Sequence, residues 1–204
     1  MTDLDPTSIL PGAQPRQPRN LLENPSLAAR AVELLLTPHT MLELSAADAR
    51  CVVAQMGLVN LPRGHVIYQE GDKQGTDQML LLLSGEVAVE LADLGRPDAV
   101  TVAVLGPGNL VGEMGLLDGA PRSVTCRAVS EVSAATLSRA ALKKLIEDNP
   151  QVAARLLIAI GQRMADRLRA LGEQLKLYAR LGASHFEPTS RIVVPKRPDQ
   201  PKAP

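Results

Sequence analysis

The sequence predicts an α+β fold in which a barrel or jelly roll of short strands is flanked by helices and followed by one long C-terminal helix. Three observations predict it. Between Leu58 and Leu137 the chain consists of short apolar runs divided by turn residues. On either side of that stretch, apolar residues recur at helical spacing. From Pro150 to about Leu181 one uninterrupted helical pattern carries a heptad repeat.

The elements follow in order. Pro6, Pro11, Pro15, Pro18 and Pro25 punctuate residues 1–25, which hold no helical or alternating pattern and read as a flexible leader. Residues 26–57 read as N-terminal helices, with Ser26 capping Leu27–Leu36 and Ser45 capping Ala46–Met56 until Gly57 stops it. Residues 58–148 hold the strands, at Val66–Gln69, Met79–Leu83, Glu86–Leu91, Val100–Leu105, Val124–Ala128 and Val132–Leu137, and a flanking helix that Ser138 caps. Turn chemistry separates them at Gly71-Asp72, Ser84-Gly85, Leu94–Asp98 and Gly106–Asn109. Alternation such as Val100, Val102, Val104 predicts one buried face per strand. In the long helix, residues 149–181, the positions Leu157, Gly161, Met164, Leu168, Leu171, Leu175 and Tyr178 follow alternating steps of four and three, the seam of a helix that pairs with a second copy. Leu156, Ile160 and Arg167 offer another face to cover the barrel; the alternative is a helix lying wholly on its own barrel. Residues 182–204 read as a proline-rich flexible tail.

Composition narrows the function. The 204 residues carry 22 Lys and Arg against 22 Asp and Glu, which excludes a globally basic coat for nucleic acid. The balance is uneven along the chain: residues 151–204 hold ten Lys and Arg against four Asp and Glu, and residues 1–150 hold twelve against eighteen. Tyr68, Tyr178 and Phe186 are the only aromatic residues, too few to stack a series of bases. No run approaches 18 apolar residues and the N-terminus has no basic-then-apolar signal, so a cytoplasmic protein with no membrane segment is expected. Cys51 and Cys126 are expected as buried small hydrophobes rather than a disulfide framework, and His39, His65 and His185 are too scattered for a metal site. Enzyme signatures are missing as well. Gly106-x-Gly108 continues with Val111 where a dinucleotide fingerprint needs glycine, and there is neither a Walker motif nor G-x-S-x-G, so no catalytic residue is assigned.

The stretch Val111–Thr125 carries the chemistry. One helical turn over Gly112–Leu117 offers free backbone N–H groups to an anion, and Gly112 lets a ligand approach the main chain. By period two, Arg122 shares the inward face of Val124, Cys126 and Ala128, where a guanidinium needs an anion. Two readings stay open: a buried Arg122–Glu113 pair, or a grip on a ligand phosphate by Arg122 and the turn while Glu113 accepts a sugar hydroxyl proton.

In these residues the sequence resembles the cyclic nucleotide-binding domain of the catabolite activator superfamily, kin to the regulatory subunits of cyclic-AMP-dependent kinases. Pro62–Asp72, Ser84–Val89 and Leu105–Glu113 follow the family pattern in order, within a likeness covering about residues 45–181. The resemblance implies a jelly-roll-like β-roll in which 112–125 is the phosphate-binding cassette. It also implies that Glu113 holds the ribose 2′-hydroxyl, that Arg122 holds the cyclic phosphate with help from Ser123, and that Gly112 and Met114 line the site. Two departures limit it. Leu171 and Gly172 stand where the bacterial activators carry a Thr-Ser pair that reads adenine, leaving Leu171 either to pack as a seam residue or to meet the base by apolar contact, and Arg167 near the ligand or in solvent. Only 23 residues follow the long helix, too few for a helix-turn-helix, so DNA binding is disfavoured. The expectation is a homodimeric sensor of a cyclic mononucleotide, cyclic AMP or cyclic GMP, that needs no other cofactor and reports to an unidentified protein partner by helix movement. The alternatives are a non-binding dimerisation or scaffold module and an activator-family transcriptional regulator.

Overall fold

The structure, a computed structural model, describes residues 19–36, 44–92 and 99–182. The leader up to residue 18, the turn Leu94–Asp98, the tail beyond residue 182 and the Tyr178 side chain lie outside the described residues. Two compact units meet within the last helix, one ending at Arg163 and the other beginning at Met164.

In the first unit, regular structure starts before Ser26. Strand β1 (Arg19–Asn20) pairs antiparallel with β2 (Gly57–Leu61), and a 3-10 turn at Leu21–Glu23 buries Leu21 completely. Helix α1 (Pro25–Leu35) is capped by Asn24 rather than Ser26: its Oδ1 accepts the Leu27 N–H at 3.2 Å, and the Ser26 hydroxyl donates to the same oxygen at 2.8 Å. Pro25 explains the shift, because its fixed φ and missing N–H suit the first helical position. Helix α2 (Ala46–Val53) is shorter than expected, since Gly57 opens β2 and does not merely stop a helix. Cys51 on α2 is exposed, against expectation, while Cys126 is buried.

Ser45 caps α2 as expected, in a reciprocal box: the Asp48 N–H donates to Ser45 Oγ at 3.1 Å and the Ser45 N–H donates to Asp48 Oδ2 at 2.9 Å. Arg155 closes on the same carboxylate at 2.6 Å. The Ser45 N–H, ahead of Arg155, holds the Asp48 carboxyl below its ordinary value despite burial. A depressed carboxylate adds stability above its unfolded-state pKa and loses it as pH falls through the lower folded value. Asp48→Ala should therefore lower stability by about 1–2 kcal/mol at neutral pH. Denaturation at a series of pH values checks this: the gap from wild type should close only below the ordinary carboxylate range.

The remaining strands are β3 (Val66–Tyr68), β4 (Gln78–Ser84), β5 (Val87–Leu91), β6 (Val100–Leu105), β7 (Leu110–Val111), β8 (Thr125–Ala128) and β9 (Val132–Ser138). They form two antiparallel sheets ordered β1-β2-β9-β4-β7 and β3-β8-β5-β6. Leu61, Leu80, Leu82, Val111, Val132 and Ala134 from the first sheet share one core with Tyr68, Val87, Cys126 and Ala128 from the second. This is a jelly-roll-like β-roll of two packed sheets. Met79, Leu81 and Leu83 of β4 are also buried, on the opposite face by period two, where α1 and α3 (Glu113–Asp118) pack against the strand.

Strand β6 departs from expectation. Val100, Val102 and Val104 are 42%, 45% and 55% exposed. Residues 100–104 are all exposed, and only Leu105, which opposes the core residue Val87, is partly buried against the core. The strand lies at the edge of its sheet, so its alternation does not mark a buried face.

Helix α4 (Arg139–Asp148) is capped by Ser138, whose hydroxyl accepts the Ala141 N–H at 3.1 Å. Helix α5 (Pro150–Gly182) follows, burying Val152, Ala153, Leu156 and Ile160 within the first unit. The part of α5 beginning at Met164 exposes Leu168 and Leu175 at 68% each and Leu171 at 47%. Its ion pairs, Asp166–Arg169 and Glu173–Lys176, are both 2.6 Å and solvent-exposed. Among the described residues no helix is long and apolar enough to cross a membrane.

Candidate functional site

Between β7 and β8 the chain turns once through α3. Gly112 precedes it at φ +83°, a left-handed conformation that favours glycine. Space demands glycine as well, because a Cβ there would lie 2.6 Å from Arg122 Nη1 and 2.7 Å from Tyr68 Cε2. Glu113, the first residue of α3, is 5% exposed.

Arg122 lies three residues ahead of β8 and is 6% exposed, on the inward face as the alternation predicts. Its backbone is clamped by the loop after β3: the Arg122 N–H donates to Asp72 O at 2.9 Å, and the Gly71 N–H donates to Arg122 O at 2.8 Å. Nη1 donates to Gly112 O at 2.9 Å, and Nη2 donates to Gln78 O at 2.9 Å and to Gly75 O. Nε is buried with no hydrogen-bond partner. Three carbonyl dipoles thus orient the cation and carry no net charge to neutralise it.

The Tyr68 ring lies under the guanidinium, 3.6 Å from its carbon, and the phenol donates to Gln78 O at 3.2 Å. Burial raises the phenol's pKa well above its ordinary value, keeping it a neutral donor. A desolvated cation over an aromatic face is stabilised by about 2 kcal/mol. Tyr68 was not singled out by the sequence; its only sign was an aromatic residue in a chain almost devoid of them.

The structure therefore brings Gly112, Glu113 and Arg122 together, with Met114 and Ser123 exposed beside them. Arg167 and Leu171 belong to the unit that begins at Met164 and are exposed there. Val89, Leu105 and Val124 are partly buried aliphatic residues against the same core as Tyr68. Among the described residues no group of three His, Cys, Asp or Glu side chains could hold a metal ion. A buried guanidinium with an unbonded Nε, beside a glycine-led helical turn, suits a small anion, and the aliphatic residues suit an apolar attachment to it.

Comparison with known proteins agrees with this chemistry. Residues 58–149 match the family described as "Cyclic nucleotide-binding domain". The chain is 32% identical over 111 residues to the CRP-like cAMP-activated global transcriptional regulator of Mycobacterium tuberculosis, covering 54% of this chain and 48% of that protein. It is similar to the crystal structure of a cyclic nucleotide-binding domain from Methylobacillus flagellatus KT, with TM-score 0.68, 28% identity and coverage of 81% of this chain and 88% of the other. The Thermus thermophilus catabolite activator protein aligns with TM-score 0.56 and 31% identity, covering 67% of this chain and 61% of the other. The chain spans about half the length of the curated relatives it matches.

Proposed function

We propose that the protein is a homodimeric sensor of a cyclic mononucleotide, cyclic AMP or cyclic GMP, a reading supported by the match of residues 58–149 to the cyclic nucleotide-binding domain family and by the similarity to a cAMP-activated transcriptional regulator and to a catabolite activator protein. Arg122 and the first-turn N–H groups of α3 take the cyclic phosphate, and Glu113 accepts a hydrogen bond from the ribose 2′-hydroxyl. Ser123 adds a hydroxyl at the rim. The base meets aliphatic side chains, which a chain with so few aromatics can supply. The observation that carries this reading is the juxtaposition of buried Arg122 with Gly112 and buried Glu113.

Binding becomes a signal only if the nucleotide favours one arrangement of the long helix. Moving a population from 1:99 to 99:1 takes roughly 5.5 kcal/mol of differential affinity. The exposed face of that helix then passes the change to a protein partner. Titration calorimetry of the full chain with each nucleotide tests the reading: at least one should bind well below millimolar concentration, near one per chain. If neither does, the sensor reading is wrong for both ligands.

A further inference from the structure

Two guanidinium groups outside the proposed nucleotide site reach the segment that carries it. Arg139, the first residue of α4, donates from Nε to Leu116 O at 3.0 Å and from Nη2 to Gly115 O at 2.6 Å. These carbonyls belong to the two middle residues of the six-residue helix α3, within the last four carbonyls of the helix. The Arg139 backbone is itself fixed, since its N–H donates to Asp77 O at 2.6 Å. Arg163, on α5, donates from Nη1 to Gly108 O at 2.8 Å and from Nη2 to Leu34 O, in the last turn of α1, at 2.7 Å. Gly108 is tied to β4 in turn, its N–H donating to Leu82 O at 2.8 Å.

The segment 108–116 is thus held at one end by Arg163 and at the other by Arg139, with Gly112 and Glu113 between the two anchors. A helix as short as α3 does not persist on its own, so tertiary bonds set its place. Anion donors must be held to within about 0.5 Å to act together, and preorganising them raises affinity without any new ligand contact. Burial of Arg163 lowers its pKa by desolvation, yet a guanidinium stays charged, so its bonds to the two carbonyls are charge-assisted.

From this arrangement we infer that Arg139 and Arg163 are positioning residues of the nucleotide site, setting its affinity from the helical layer by holding both ends of segment 108–116. The inference rests on the cyclic nucleotide reading for its ligand, but its mechanical part stands separately. Arg155, which bridges α5 to α2 through Asp48 and touches neither end of the segment, is the internal control.

The test compares Arg139→Gln, Arg163→Gln and Arg155→Gln in the full chain by three measurements: affinity for cyclic AMP and cyclic GMP, thermal midpoint, and hydrogen exchange of amides 110–118 without nucleotide. Both positioning variants should bind about 5- to 20-fold more weakly and exchange faster across 110–118. Arg155→Gln should lower the midpoint yet keep wild-type affinity and exchange there. If either glutamine variant fails to fold, the lysine variant at that position replaces it; lysine keeps the charge but lacks the two-carbonyl fork, so an intermediate loss of affinity is expected. Wild-type affinity and exchange in folded Arg139 and Arg163 variants would overturn the inference, as would a loss of affinity matched by Arg155→Gln. If the wild type binds neither nucleotide, the sensor reading fails, and the exchange at 110–118 still decides whether the two arginines hold the segment.

Discussion

Arg122→Ala is expected to weaken cyclic nucleotide binding about 10- to 150-fold, the equivalent of a charge-assisted hydrogen bond of about 1.5–3 kcal/mol. The argument rests on what surrounds the guanidinium. It is buried, stacked on Tyr68, and oriented by the carbonyls of Gly75, Gln78 and Gly112, so its charge is fixed next to the turn that Gly112 opens. The same bonds give alanine a second effect, because three carbonyls lose a donor and the thermal midpoint should fall. Affinity is therefore compared by calorimetry at a temperature where both proteins are folded. Arg122→Lys separates the two contributions: a lysine keeps the charge and loses the fork, so an intermediate affinity is expected. Wild-type affinity in a folded alanine variant would put the phosphate elsewhere.

If the proposed dimer forms through the heptad stripe of α5, Leu168→Glu is expected to convert it to monomers, raising the dissociation constant about 100- to 10,000-fold. Each leucine side chain taken out of water contributes about 1.5–3 kcal/mol, and every dimer carries the position twice. In a single chain Leu168 is 68% exposed, with Leu171 and Leu175 one and two heptad steps along the same stripe also exposed. Sedimentation over a range of concentrations reads the change, and a dimer that persists at wild-type strength would move the interface to another surface.

Features written in neighbouring residues were the readable ones. Ser45 and Ser138 cap their helices because the capping oxygen and its N–H partner lie within three residues of each other. Gly112 announced a turn, and Arg122 an inward cation, through spacing alone. The errors come from contacts between distant parts of the chain. The valines of β6 alternate in the sequence, but β6 is an edge strand on which only Leu105, opposite Val87, is partly buried. Asn24 rather than Ser26 caps α1, because Pro25 takes the first helical position. Arg139 and Arg163 were invisible for a different reason: they bond backbone carbonyls 23 to 129 residues away, and a carbonyl leaves no trace in residue identity.

Strand β6, an edge among the described residues, has a consequence for how the protein behaves when concentrated. Val100–Leu105 is six residues without charge, glycine or proline, rich in β-branched side chains, and it lies on an edge. That is the composition of a cross-β template, and here it belongs to the folded molecule rather than to a transient opening. Pro97 and Pro107, one on each side in the sequence, cannot donate to a ladder and so limit how far any such pairing could spread.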